Sequence, residues 1–243
     1  MKSRILWCLV ALLATGVVAQ DSPDMELRAA RKQAAAAIAQ KGREAIGAAR
    51  KVYEGVAERH AALPAIAGRA RLEAGRLAER MREMPAAEAH FTAAAQCPEV
   101  KVAADALGEL AALCQRVERR DDAEKWLKQL VERCGEEEMD CANAMLRLGD
   151  IARQRSRPDD AGQWYRRVMN EHGGLWRPCV DALEEMVEMQ LDSGDRDSAR
   201  KLYDGHALSL RARFSGSSAE KRLDVALGRL AARAKFDIGA KVG

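Results

Sequence analysis

Small and large apolar residues recur along this chain with a nearly constant long period. Five alanines, separated by 38, 36, 38 and 38 positions, are each followed four residues later by a larger apolar residue. A four-residue offset places both side chains on one face of a helix, one turn apart. A repeat of this length predicts a short helical unit whose copies stack and cover each other's apolar faces. The pairs are Ala49–Tyr53, Ala87–Phe91, Ala123–Leu127, Ala161–Tyr165 and Ala199–Tyr203.

The copy around Ala161 shows the plan of one unit. A stripe of small and apolar residues at helical spacing precedes Pro158, which is followed by two aspartates. Proline and acidic residues suit the first turn of a helix, so a second helix begins there and ends near Gly173-Gly174. Two antiparallel helices joined by a short turn form a helical hairpin. The stripe consists of Met145, Leu148, Gly149 and Ala152.

This pattern resembles the tetratricopeptide repeat family over about residues 66–214. The residues that carry the resemblance in the best copy are Leu148-Gly149, Ala152, Ala161, Tyr165 and Val168. The resemblance implies an all-α fold, a right-handed superhelical solenoid of four such hairpins, in which the first helix of each hairpin lines a concave groove. The usual spacing in the family is about 34 residues. The longer spacing here resembles that of exported envelope relatives, which act in outer-membrane assembly and cell-division coordination.

Two flanking segments lie outside the clear copies. Residues 25–63 are predicted to form either one long helix or a degenerate first repeat, because Ala49 and Tyr53 fit the phase but Gly42 lies too close for an obvious hairpin turn. A helix over about residues 219–236 is predicted to cap the array, since stacked repeats require a polar-faced terminal element.

The first residues are predicted to be an export signal. Lys2 and Arg4 precede an apolar stretch, and Val17-Val18-Ala19 offers small residues for cleavage after about Ala19. An uncleaved membrane anchor is the alternative, although the stretch is short for a spanning helix. Cleavage leaves 38 basic and 37 acidic residues and no apolar run long enough to span a bilayer. The mature chain is therefore expected in the periplasm or cell envelope, without the strong positive charge that would favour nucleic acid.

Export affects the interpretation of the cysteines. In an oxidising compartment, Cys134 and Cys141 are close enough in sequence for a disulfide, and two buried thiols are the alternative. We expect no metal site and no cofactor, because the four histidines are scattered singly and no phosphate-binding glycine loop is present. No catalytic constellation is recognisable either, so an enzyme is not expected.

The resemblance assigns a set of groove-facing residues by phase. The charged or polar members change from basic in the first clear copy to acidic in the fourth, which would give a groove of opposite charge at its two ends; an ordinary solvated helix face is the alternative. The lysine and asparagine of the family's carboxylate clamp are replaced by Leu72 and Arg76, which disfavours chaperone C-termini as ligands. The assigned residues are Arg69, Arg76, Arg80, Arg116, Asn143, Asp150, Arg153, Asp181, Glu184, Glu188 and Asp192.

The sequence therefore predicts an exported scaffold that binds a peptide or helix of a protein partner in its concave groove, within an envelope complex. One alternative is a structural array that self-associates end to end through its oppositely charged ends. A less favoured alternative is an envelope enzyme or glycan-binding factor. The low aromatic content of 4% argues against stacking on sugars.

Overall fold

The protein is described by a computed structural model over residues 22–40 and 42–236. The predicted signal at 1–19 and its cleavage position lie outside these residues. Over the described residues the chain forms eleven α-helices and no strand, which confirms the all-α class, and within each of its two compact units successive helices pack on one another as in a helical solenoid. They are α1 Pro23–Ala39, α2 Arg43–Arg59, α3 Pro64–Arg80, α4 Met84–Ala95, α5 Val100–Arg116, α6 Arg120–Arg133, α7 Glu138–Gln154, α8 Pro158–Glu171, α9 Trp176–Asp192, α10 Arg196–Phe214 and α11 Glu220–Arg233.

The periodic pairs of alanine and a larger residue lie in the core. All five alanines are fully buried, and the larger partners are at most 6% exposed. The pairs fall on α2, α4, α6, α8 and α10, the even-numbered helices. The period seen in the sequence is therefore the spacing between the second helices of successive hairpins. Small residues allow these helices to approach their neighbours, and the larger residue fills the space beside them.

The turns that precede α4, α6, α8 and α10 share one backbone conformation. Each contains a residue with positive φ, five positions before the periodic alanine, and the N–H of the next residue donates to a carbonyl five positions earlier. This is the hydrogen-bond pattern of a Schellman motif, which satisfies carbonyls at a helix end. The positive-φ residues are Arg82 (60°), Glu118 (60°), Ser156 (56°) and Gly194 (81°).

The described residues divide into two compact units, the first ending at His90 and the second beginning at Phe91. In the first unit α1, α2 and α3 pack against one another. Residues 25–63 do not form one long helix, because α1 ends at Ala39 and α2 begins at Arg43. Gly42 adopts φ 108° at the start of α2, a conformation that glycine tolerates and that other residues rarely adopt.

In the second unit, α5/α6, α7/α8 and α9/α10 are hairpins in which each helix contacts its successor. The first helices also contact one another, α5 with α7, α7 with α9, and α9 with α11. They therefore form a continuous layer. Helix α11 packs on both α9 and α10 and is shorter than the predicted 219–236. None of the helices among the described residues is long and apolar enough to cross a membrane.

A candidate protein-binding groove

The residues predicted to face a groove lie on first helices and are accessible to solvent. In the second unit Arg116, Asn143, Asp181 and Asp192 are exposed, whereas Asp150, Arg153, Glu184 and Glu188 are half-buried. In the first unit Arg69, Arg76 and Arg80 lie on α3, with Arg80 exposed and the other two half-buried. We call the accessible side of α5, α7, α9 and α11 the first-helix face. The binding of a partner by these residues stays a prediction.

A chain of ion pairs crosses the first-helix face. Arg233 on α11 donates to Glu188 on α9 at 2.7 Å and also pairs with Glu184. Glu188 is shared with Arg153 on α7 at 3.5 Å, and Arg153 also pairs with Glu185. The acidic residues of α9 are thus partly neutralised by arginines from both neighbouring helices. The acidic end predicted from the sequence is less negative than α9 alone suggests.

Asp150 has a structural role in addition to its position on this face. The Tyr165 hydroxyl donates to Asp150 Oδ1 at 2.8 Å. Burial and this hydrogen bond raise the pKa of the Tyr165 hydroxyl, which keeps it protonated and able to donate. One oxygen of Asp150 is therefore engaged by the core and is not available to a partner.

Arg147 was not among the predicted residues, but it joins two first helices. Its guanidinium donates to the Gly108 carbonyl at 3.3 Å and to Gln115 Oε1 at 2.6 Å, both on α5. It lies one helical turn after Asn143, on the same side of α7. Arg147 therefore connects α7 to α5 by two hydrogen bonds on this face.

A cleft opens between α9 and α11. Its cavity volume is about 660 Å³, and we call it the α9/α11 cleft. Apolar side chains form its floor, and Val225 remains 53% exposed. Basic side chains surround it, whereas Asp181 and Glu184 are its only carboxylates among the described residues. The floor is formed by Trp176, Val180, Val225, Ala226 and Leu230, and the cations are Arg177, Lys221, Arg222, Arg229 and Arg233.

The α11 side of this cleft was missed by the sequence reasoning, although a signal was available. Leu227-Gly228 and Ala231 repeat the spacing of Leu148-Gly149 and Ala152. Helix α11 also ends like a first helix, because Lys235 has φ 52° and Phe236 N–H donates to the Ala231 carbonyl at 2.8 Å. These features identify α11 as another first helix, which extends the groove phase to Arg222, Val225 and Arg229.

Cys134 and Cys141 lie together at the junction of α6 and α7. Both are buried thiols in the structure, and Cys141 Sγ–H donates to the Cys134 carbonyl at 3.0 Å. The same junction recurs 38 residues later, where Cys179 Sγ–H faces the His172 carbonyl at 3.6 Å. The disulfide stays a prediction, which non-reducing peptide mapping of the exported protein would test. No group of three or more His, Cys, Asp or Glu side chains in the described ranges is placed to hold a metal.

Comparison with known proteins supports the repeat assignment. Residues 102–170 match a family model described as tetratricopeptide repeat, which confirms the resemblance over that segment, from α5 to α8. Such repeats are typical of non-catalytic protein–protein interaction scaffolds. No curated protein sequence matches this chain. A crystal structure of BtubC (BKLC) from P. vanneervenii is 14% identical over 88% of this chain and 84% of that chain, with a TM-score of 0.49.

Proposed function

We propose that this chain is an exported, non-catalytic scaffold that holds a peptide or helix of a protein partner on its first-helix face, within a complex of the cell envelope. The single observation that carries the proposal is the layer of first helices in the second unit. That layer presents charged side chains and an open cleft, whereas the second helices bury the periodic core residues. Export rests on the sequence pattern of residues 1–19 alone.

Site-specific photo-crosslinking tests the binding surface. A crosslinking amino acid replaces Asn143 or Asp192, which are both exposed on first helices, and the matched control replaces Gln163, which is exposed on the second helix α8. The proposal predicts a discrete partner band from cells for the first two positions and none for the control. Bands of equal yield at all three positions, or none at any of them, would contradict it.

Export and self-association are tested separately. Mass spectrometry of the protein from the envelope fraction is expected to give an N-terminus at or near Gln20. Crosslinks between copies of this chain at Asn143 or Asp192 would instead favour the self-assembling array. The apparent size of such an array is expected to fall as the salt concentration rises. Salt screens the exposed charges that would hold the copies together, with a Debye length of about 8 Å at physiological ionic strength.

A further inference from the structure

We propose that the α9/α11 cleft binds an acidic peptide segment that carries one apolar anchor side chain. This inference rests on the proposed scaffold function and adds the chemistry of the ligand. It is carried by an apolar floor and an excess of positive charge that come together in one concavity of the second unit.

The floor provides a place for an apolar anchor. Val225 is a large aliphatic residue on α11 that stays 53% exposed although it lies beside the buried Val180 and Leu230. A cavity of about 660 Å³ accommodates more than one side chain. An aliphatic or aromatic side chain placed on Val225 would remove apolar surface from water, which stabilises a complex by roughly 25 cal/mol for each Å² buried.

The charged side chains around the floor determine which residues of the peptide can flank its apolar anchor. Glu184 is already paired with Arg233, whereas Lys221 and Arg229 have no ion-pair or hydrogen-bond partner among the described residues. Arg222 lies over the Trp176 ring at 5.9 Å, which orients its guanidinium at the rim. Arginine binds carboxylates through two parallel hydrogen bonds, so carboxylates on either side of an anchor fit this rim.

The two carboxylates of the cleft favour a peptide over a continuous polyanion. Asp181 is exposed at the mouth, one helical turn before Glu184. A nucleic acid or a polyphosphate carries negative charge along its whole length, so Asp181 and Glu184 would repel it. A peptide spaces its carboxylates and can offer a backbone N–H to Asp181. The cleft therefore matches an acidic, amphipathic segment of a protein.

Selection from a random peptide library tests this inference. Twelve-residue peptides displayed on phage are selected on the purified full chain, and enriched peptides are then measured by fluorescence anisotropy. The expected result is enrichment of Asp and Glu around one Leu, Ile, Phe or Trp. Affinity should fall at least about tenfold in Arg222→Glu/Arg229→Glu and weaken as salt is raised.

A control variant makes the same change in net charge elsewhere. Lys125→Glu/Lys201→Glu alters two exposed lysines on the second helices α6 and α10, and it should leave binding unchanged. Circular dichroism melting checks that both double variants fold. If the arginine variant does not fold, Arg222→Gln/Arg229→Gln replaces it, with Lys125→Gln/Lys201→Gln as its control.

The outcomes separate this inference from the proposed function. Enrichment of neutral or basic peptides whose binding depends on Asp192 would show that the ligand is not acidic, and it would still support the proposed scaffold function. Equal binding of acidic peptides to the arginine variant and the control would overturn the cleft. No enrichment of any peptide would count against peptide binding itself. Tighter binding of a single-stranded oligonucleotide or of phosphatidylserine vesicles, lost in the arginine variant, would assign the cleft to another class of ligand.

Discussion

Tyr165 lies directly over the Cα of Gly149, one hairpin turn away. A Cβ on Gly149 would lie 2.6 Å from Cζ and 2.9 Å from Cδ1 of the Tyr165 ring. The same ring is fully buried, and its hydroxyl is fixed by Asp150. Glycine is therefore required here because the ring of the second helix occupies the place of a side chain on the first.

Gly149→Ala is expected to destabilise the protein by about 1–3 kcal/mol, because the ring must move within a packed core. Gly108 is the control, since it is also a glycine within a first helix, α5, and its added Cβ would meet only Leu130 Cδ1, at 3.9 Å. Gly108→Ala should be neutral or stabilise by up to about 1 kcal/mol through helix propensity. Urea denaturation measures both, and equal effects would contradict the role of Tyr165.

The core of the repeat could be predicted from the sequence, whereas the backbone conformation of the turns and the ion pairs of the first-helix face could not. The alanine pairs were sufficient to predict the hairpins, because a small and a large residue buried on one helix face recur with a fixed period. The positive φ of Arg82, Glu118 and Ser156 could not be predicted, since residues other than glycine rarely adopt it and only the fold imposes it here. The pairing of Arg233 with Glu188 depends on how α11 packs on α9, which no spacing within either helix specifies.

His172 is predicted to be replaceable by an apolar residue without loss of stability. It is 8% exposed, and neither ring nitrogen has a hydrogen-bond partner among the described residues. A buried polar group without a partner costs roughly 1–3 kcal/mol, so His172→Phe should leave the melting temperature unchanged or raise it. The backbone carbonyl of His172 still accepts from Leu175 N–H at 2.9 Å in either variant. A fall of several degrees would show that the imidazole has a partner.

The first unit is predicted to weaken in acid at the contact between α1 and α2. Glu26 accepts hydrogen bonds from His60 and from Arg59, at 2.5 and 2.6 Å, and these bonds hold the pKa of its carboxyl below the usual value. A lowered pKa in the folded state stabilises the fold above the unfolded pKa of about 4.3, and this stability is lost as the pH falls through the folded pKa.

Hydrogen exchange of residues 23–39 between pH 6 and pH 3, a range of roughly three units around the carboxyl pKa, measures this effect. Protection of α1 should fall in acid and should depend less on pH in Glu26→Gln. Glu58→Gln is the control, because Glu58 is exposed on α2 without an ion pair among the described residues. The same acid response in both variants would exclude Glu26 as its cause.

Cys141 is predicted to react slowly with alkylating agents in the folded protein. Burial and the neighbouring Cys134 raise the pKa of the Cys141 thiol to about 11, and burial also raises the pKa of Cys134. The thiolate is the reactive form, so little of it is present near neutral pH. Iodoacetamide at pH 8 should modify both residues only after the reduced protein is unfolded in urea. Rapid modification of the native protein would show that the α6/α7 junction opens.

Charge reversal on α9 is predicted to have two different consequences, depending on the ion pairs of each residue. Glu184→Lys/Glu188→Lys removes both partners of Arg233 and one partner of Arg153, so α11 should dock less tightly and exchange its amide protons faster.

Asp192→Lys changes the charge of the first-helix face at an exposed residue that forms no ion pair within the described ranges. It should leave the exchange of α11 unchanged. Hydrogen exchange of residues 220–233 separates the two variants, and equal protection of α11 in both would show that Arg233 does not hold it. Because the ion pairs of Arg233 and Arg153 are partly exposed, each stabilises the fold by up to about 1 kcal/mol. A change in partner binding in Asp192→Lys would therefore reflect the groove and not the fold.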